Sequence, residues 1–169
     1  MESYIPQKYY RNIFEINYEK LKRDNIKCLL FDLDNTIAPV HTKSLDYKYI
    51  KLIEELKKDF KVILISNALP KRTKLFANYL NIDYLALAWK PHKWSYTKIM
   101  NKYNFKNNEI ATIGDQIFTD IKGASNSNII GILVDPISEK DSIFTKRNRR
   151  KENKFFLNNK KIKRGEYYE

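Results

Sequence analysis

The plainest pattern in the chain is a series of short apolar runs set between longer stretches with helical spacing. Cys28-Leu29-Leu30-Phe31, Val62-Ile63-Leu64-Ile65 and the run from Ile129 to Val134 are nearly continuous in apolar residues. That is how strands read when both faces are covered. The pattern predicts strands at 27–31, 61–65, 84–88, 110–113 and 129–134. Between them, Ser44 is placed to cap a helix over 45–58 with Ile50, Ile53 and Leu56 facing inward. Pro70 suits the first turn of a helix that runs to Leu80. Further helices are expected over 93–103 and about 119–126. Strands alternating with helices through short connections predict an α/β fold: a parallel sheet, covered on both faces, with right-handed crossovers.

The two ends of the chain read differently. Residues 3–17 carry Tyr4, Ile5, Tyr9, Tyr10, Ile13, Phe14 and Ile16 beside Lys8 and Arg11. They fit a short amphipathic helix after Pro6, serving either as an arm packed across the domain or as an interfacial anchor. Asn17 is placed to cap a second short helix through Lys22. The chain therefore divides into an arm (1–26), a central domain (27–140) and an extension (141–169).

Composition narrows the class. With 169 residues, 43% hydrophobic content, four glycines and five prolines, the chain can build one full core without long flexible linkers. The single cysteine, Cys28, lies in a predicted core strand. It excludes an intrachain disulfide and a cysteine-built zinc site. The first residues lack a secretory pattern, and no apolar run approaches the ~20 residues that cross a bilayer. A cytoplasmic protein is expected, touching membrane only peripherally.

Net charge is +12, and residues 146–169 hold ten Lys or Arg against three Glu. Such a balance calls for anionic partners: lipid headgroups, nucleic acid or phosphorylated substrates. In the extension, Phe144, Phe155, Phe156 and Leu157 lie among Arg147, Arg149 and Arg150. A polybasic segment with apolar anchors holds an anionic leaflet at about 1 kcal/mol per cation. The same cluster suits a nucleic-acid backbone, or simply a solvated helix.

The candidate chemistry sits where the predicted strands end. The first strand runs into Asp32-Leu33-Asp34-Asn35-Thr36, the second into Ser66-Asn67, the third into Lys90-Pro91, and the fourth into Gly114-Asp115 with Asp120 five residues on. In open α/β sheets ligands bind beyond the carboxyl ends of strands. Acids are costly there unless a cation holds them, so a divalent metal is expected. His41 and His92 follow the first and third clusters, and Trp89 and Trp94 bracket Lys90. Each is open to a role at the pocket or to a bland one in a loop or in packing.

These motifs, in this order, resemble the haloacid dehalogenase superfamily over residues 26 to about 136. Phe31 to Ile37, Ile65-Ser66-Asn67, Ile113 to Gln116, Thr119-Asp120 and Ile143 to Arg147 are similar to the YqeG family of its IIIA subclass, which is related to the mitochondrial phosphatidylglycerophosphatase. The resemblance implies a three-layer Rossmann-like fold with a five-stranded parallel core sheet. It implies Asp32 as the nucleophile that forms an aspartyl-phosphate and Asp34 as the general acid and base. Mg²⁺ is expected on Asp32, the Asp34 carbonyl and Asp115. Ser66, Asn67 and Lys90 are the expected phosphate ligands. Asp120 is expected to support the metal or orient Lys90, and the Thr36 hydroxyl to pin the loop after Asp34.

Thirty-two positions separate Asp34 from Ser66, and 24 separate Ser66 from Lys90. A helix and a strand use up each interval, so no cap domain is expected over the site. An open site suits phosphate displayed on something large. The expected reaction is metal-dependent phosphomonoester hydrolysis, with phosphatidylglycerophosphate as the leading substrate. A nucleic-acid end phosphatase and a non-catalytic basic domain that binds RNA or membrane are the alternatives.

Overall fold

The computed structural model describes residues 4–138, 143–159 and 161–169, with only the backbone described for 143–147. Six parallel strands form one sheet: β1 (Lys8–Tyr10), β2 (Cys28–Phe31), β3 (Lys61–Ile65), β4 (Asp83–Leu85), β5 (Ile110–Gly114) and β6 (Ile130–Val134). Their order across the sheet is β1-β6-β5-β2-β3-β4. The strand that carries the first acidic motif, β2, therefore lies inside the sheet between β5 and β3. The helices are α1 (Tyr18–Arg23), α2 (Tyr47–Leu56), α3 (Pro70–Leu80), α4 (Trp94–Tyr103), α5 (Lys122–Ser127) and α6 (Ile143–Asn158).

Alternation along β2 assigns its residues to two cores. Leu29 and Phe31 pack with Ile53, Leu56, Phe76 and Leu80 from α2 and α3. Cys28 and Leu30 pack with Tyr96, Ile99 and Ala124 from α4 and α5. Successive strand residues point to opposite faces, so a strand between two helical layers must be apolar at every position. Cys28 is a free, buried member of the second core, and burial pushes its thiol up to about 12.

The three-layer α/β architecture is the expected one, with a sixth strand added. The first segment does not form a helix after Pro6. Lys8–Tyr10 pairs with β6 at the sheet edge, and Tyr9 also bridges to Tyr168. Its aromatic, buried residues suit a half-covered edge better than a helical stripe. Tyr9 then anchors a third core with Ile117, Leu133, Phe156 and Ile162. Phe156 is thus inside the protein, and Phe155 rests edge-on against Phe118. The Phe144 and Arg147 side chains lie outside the described residues.

Helix ends follow from composition. With few glycines, the chain ends α3, α4 and α5 on Asn81, Asn104 and Asn128, each left-handed. Asp46, not Ser44, caps α2 through the Lys48 amide. No insertion stands between β2 and β3 or between β3 and β4 beyond one helix each, as the spacing predicts. Among the described residues, no helix is long and apolar enough to cross a membrane.

Candidate active site

Asp32 and Ser66 each lie one residue past a strand, β2 and β3, and Asp115 one past β5. Parallel strands in register bring these positions to one rim. Lys90 arrives on the loop after β4 and becomes the hub. Its Nζ donates to Asp32 Oδ1 at 2.5 Å, to Asp120 Oδ1 at 2.6 Å and to the Ile65 carbonyl at 3.1 Å. Three contacts use all three ammonium hydrogens. Burial by itself would depress Lys90, but Asp120 and Asp32 outweigh it and hold the ammonium above its ordinary range.

The loop that delivers Lys90 is itself held by Asn67. The Asn67 amide donates to the Lys90 carbonyl (3.1 Å), and the Lys90 amide donates to Asn67 Oδ1 (2.8 Å). The Lys90–Pro91 peptide is cis. Ser66 is buried, and its Oγ accepts from the Ala68 amide. That leaves the hydroxyl hydrogen available to a ligand.

Asp120 sits on a π-helical turn, Ile117–Ile121, that leads into α5. Gly114 makes this possible. A Cβ there would lie 2.2 Å from Asp120 Cγ, so only glycine lets the turn close on the strand end. Asp120 Oδ2 accepts from the Gln116 amide and the Thr119 hydroxyl.

One carboxylate oxygen each of Asp32, Asp115 and Asp120 lies within 4.8 Å of the others, and all three residues are buried. Asp32 Oδ2 and Asp115 Oδ1 have no hydrogen-bond partner among the described residues. Both oxygens of Asp120 are engaged. Two orphaned buried oxygens in an acidic cluster fit a hard divalent cation, and they belong to Asp32 and Asp115. Burial first, then Asp120 and Asp34, push Asp32 up to about 7 against the opposing pull of Lys90. Burial, Asp32 and Asp120 likewise push Asp115 well up, against Arg149.

Asp34 is half-buried and turned toward a residue the sequence did not mark. Arg72 Nε donates to Asp34 Oδ1 at 2.8 Å, Nη1 to the Thr42 carbonyl (2.5 Å) and Nη2 to the Pro39 carbonyl (2.9 Å). One guanidinium thus ties the first motif to the loop behind it. Arg72 escaped notice because it looks like any basic residue in the first turn of α3. Arg149 and Glu152 of α6 are equally faint in the sequence. Their signal was a lone acid in a basic helix, three residues after an arginine.

Thr36 does not play the expected part. Its Oγ1 is buried without a hydrogen-bond partner among the described residues. The turn is held by backbone bonds instead, from Ile37 and Ala38 to the Leu33 carbonyl. Asn35 takes a left-handed conformation, with φ 65°. His41 and His92 are exposed on loops, and Trp89 and Trp94 are exposed rather than packed.

A cavity of about 350 Å³ opens beside Lys90, lined by Asn67, Leu87, Trp89, Pro91 and His92. Another, of about 580 Å³, lies at the opposite end of the sheet near Lys61 and Asp83, away from the acids.

The doubly covered parallel sheet has the fold of HAD hydrolases, and the family to which the chain belongs is one of phosphatases. Solved structures agree on the fold. The cobalt-bound deoxy-D-mannose-octulosonate 8-phosphate phosphatase YrbI of Haemophilus influenzae superposes with TM-score 0.56 at 16% identity, over 75% of this chain and 77% of its own. The putative HAD-hydrolase YfnB of Bacillus subtilis, bound to magnesium, gives 0.57 at 13% identity, over 71% and 91%. The chain belongs to the mitochondrial PGP phosphatase family, whose sequence profile matches residues 2–138. It is 33% identical over 150 residues to the probable phosphatase YqeG of Bacillus subtilis (strain 168), covering 88% of this chain and 87% of that protein.

Proposed function

We propose that this phosphatase hydrolyses a phosphate monoester carried by a membrane lipid, with phosphatidylglycerophosphate, the substrate class in the family's name, as the leading case. The observation that carries the reading is the rim around the site. Among the described residues no cap covers the acids, and Leu69, Leu87, Trp89, Trp94 and Ile137 are all exposed on loops or helix starts at the carboxyl end of the sheet. Lys71, His92 and Lys93 are exposed among them. Trp89 and Leu87 stand outward in left-handed conformations (φ 54° and 48°), which cost of order 1–2 kcal/mol each for residues with a Cβ. Amphipathic aromatics beside cations suit a headgroup layer.

In this reading a carboxylate oxygen of Asp32 attacks phosphorus in line. The ester P–O bond breaks as Asp34 protonates the leaving alcohol, giving an aspartyl-phosphate. Asp34 then takes a proton from water, whose oxygen attacks phosphorus and frees phosphate and Asp32. The Ser66 hydroxyl and the Asn67 backbone amide hold the phosphoryl oxygens, and the Lys90 ammonium neutralises the charge of the transferring group. Asp32, Asp115 and the Asp34 carbonyl would hold Mg²⁺, which supplies charge neutralisation of the phosphoryl group. Asp120 keeps Lys90 in place.

The test is phosphate release from vesicles containing phosphatidylglycerophosphate, set beside 3′-phosphorylated DNA and sugar phosphates, with Mg²⁺ present. Preference for the lipid is expected. Efficient cleavage of another class with no release from the lipid would overturn the lipid assignment and leave the phosphatase intact.

A further inference from the structure

Basic helix α6 lies against the acidic cluster and grips one loop at three consecutive residues. Asn148 Nδ2 reaches Gln116 Oε1 at 3.5 Å. Arg149 Nη1 donates to the main-chain carbonyl of Asp115 at 3.0 Å, and Nη2 pairs with Asp115 Oδ2. Glu152 Oε1 accepts from the Ile117 amide at 2.6 Å, and its Oε2 accepts from Arg149 Nη1 at 2.9 Å. Glu152 is 1% exposed, an unusual place for an acid on a helix of this composition. One turn further, Phe156 packs on Tyr9 and seats the same face of the helix.

We infer that Arg149, braced by Glu152, is a positioning residue that sets the metal affinity of the site through Asp115. This rests on the reading of Asp115 as a metal ligand. A guanidinium bound to both the carbonyl and one carboxylate oxygen of the same residue fixes that side chain's rotation. It occupies Oδ2 and leaves Oδ1 as the orphaned oxygen. With Arg149 in place the Asp115 side chain has no exposure to water, so the guanidinium and not solvent holds it.

Two effects oppose each other. The guanidinium repels a cation, yet it also preorganises the ligand and joins Lys90 in balancing a cluster of three carboxylates. The second effect governs because the cation would meet Oδ1, on the side of the carboxylate away from Arg149. Removing groups that orient metal ligands costs about 10- to 100-fold in metal affinity. The extension is then a working part of the centre, not a tail added for charge.

The experiment is calorimetric Mg²⁺ titration of the full chain without substrate. Arg149→Met is expected to weaken binding about 10- to 100-fold. Arg149→Lys, which keeps the charge but not the fork, should fall between that variant and wild type. Lys151→Gln removes an equal charge from the exposed face and should leave affinity unchanged. Unfolding curves check each variant. If Arg149→Met does not fold, Glu152→Gln loosens the same grip and should weaken binding at least several-fold. Wild-type or tighter Mg²⁺ binding in a folded Arg149→Met or Glu152→Gln protein overturns the inference, as does an equal loss in Lys151→Gln. Asp115→Asn separates the two readings: full affinity there overturns the metal assignment and the inference together, whereas lost affinity there with wild-type affinity in Arg149→Met overturns the inference alone.

Discussion

At the scale of single residues, the site is a charge balance held in a dry place. Lys90 and its two carboxylates are almost wholly inaccessible, so removing one partner strands the others. Lys90→Met should destabilise the fold by about 3–5 kcal/mol, read by urea unfolding, because two buried acids lose their cation. Asp32→Asn should instead keep the fold and lose turnover by roughly four orders of magnitude, read by phosphate release. Asp32 also predicts a pH dependence. Its folded carboxyl sits at about 7, above its ordinary range. Without metal, its contribution to stability is therefore full below the ordinary carboxylate range and is lost as pH rises toward 7. A cation binds only the ionised form, so Mg²⁺ should raise the melting temperature more at pH 8 than at pH 5.5, with proton release on binding at the lower pH. Equal shifts at both pH values would remove Asp32 from the ligand set.

At the scale of elements, the rim depends on how strand ends meet the turns that follow them. The junction of β5 with the π-helical turn has room for Asp120 only because Gly114 lacks a side chain. Gly114→Ala should cost about 1–3 kcal/mol of stability by overpacking and should dislodge Asp120 from Lys90. Urea unfolding and turnover should fall together in that variant. Arg72 does for the loop after β2 what Asn67 does for the loop after β4: each fixes backbone carbonyls so that an acid or an ammonium arrives in place. Arg72→Ala is expected to lower kcat with a smaller loss of global stability, since Arg72 is partly exposed and its hydrogen bonds hold loops, while its guanidinium also lies over the core ring of Phe76.

At the scale of the whole molecule, the edge strand β1 and helix α6 both belong to the packed body. Tyr9 is fully buried, pairs along β6 and Tyr168, and supports Phe156. Tyr9→Ala should cost about 3–5 kcal/mol by emptying that third core, and should loosen α6. A variant that unfolds at the wild-type urea concentration would show the arm to be dispensable. The proposed lipid substrate predicts binding to anionic vesicles that weakens as salt is raised past physiological strength, given the +12 charge.

Period and spacing in the sequence determined the frame, and the resemblance of its motifs to a known family gave the reaction class. Apolar runs of strand length, each ending in Asp32, Ser66, Asp115 or a turn to Lys90, needed only period and spacing to be read, because a strand buried on both faces has one possible pattern. The lack of a cap followed from counting residues. Tertiary structure decided the rest. Arg72, Arg149 and Glu152 work across separations of 38, 34 and 35 positions, where no local period links partner to partner. The edge strand β1 was hidden too, since three residues carry too little pattern to tell a strand from one turn of helix. Which charge on α6 faces a buried acid and which faces water depends on the packing of Phe156 and Tyr9, and that is a property of the folded protein.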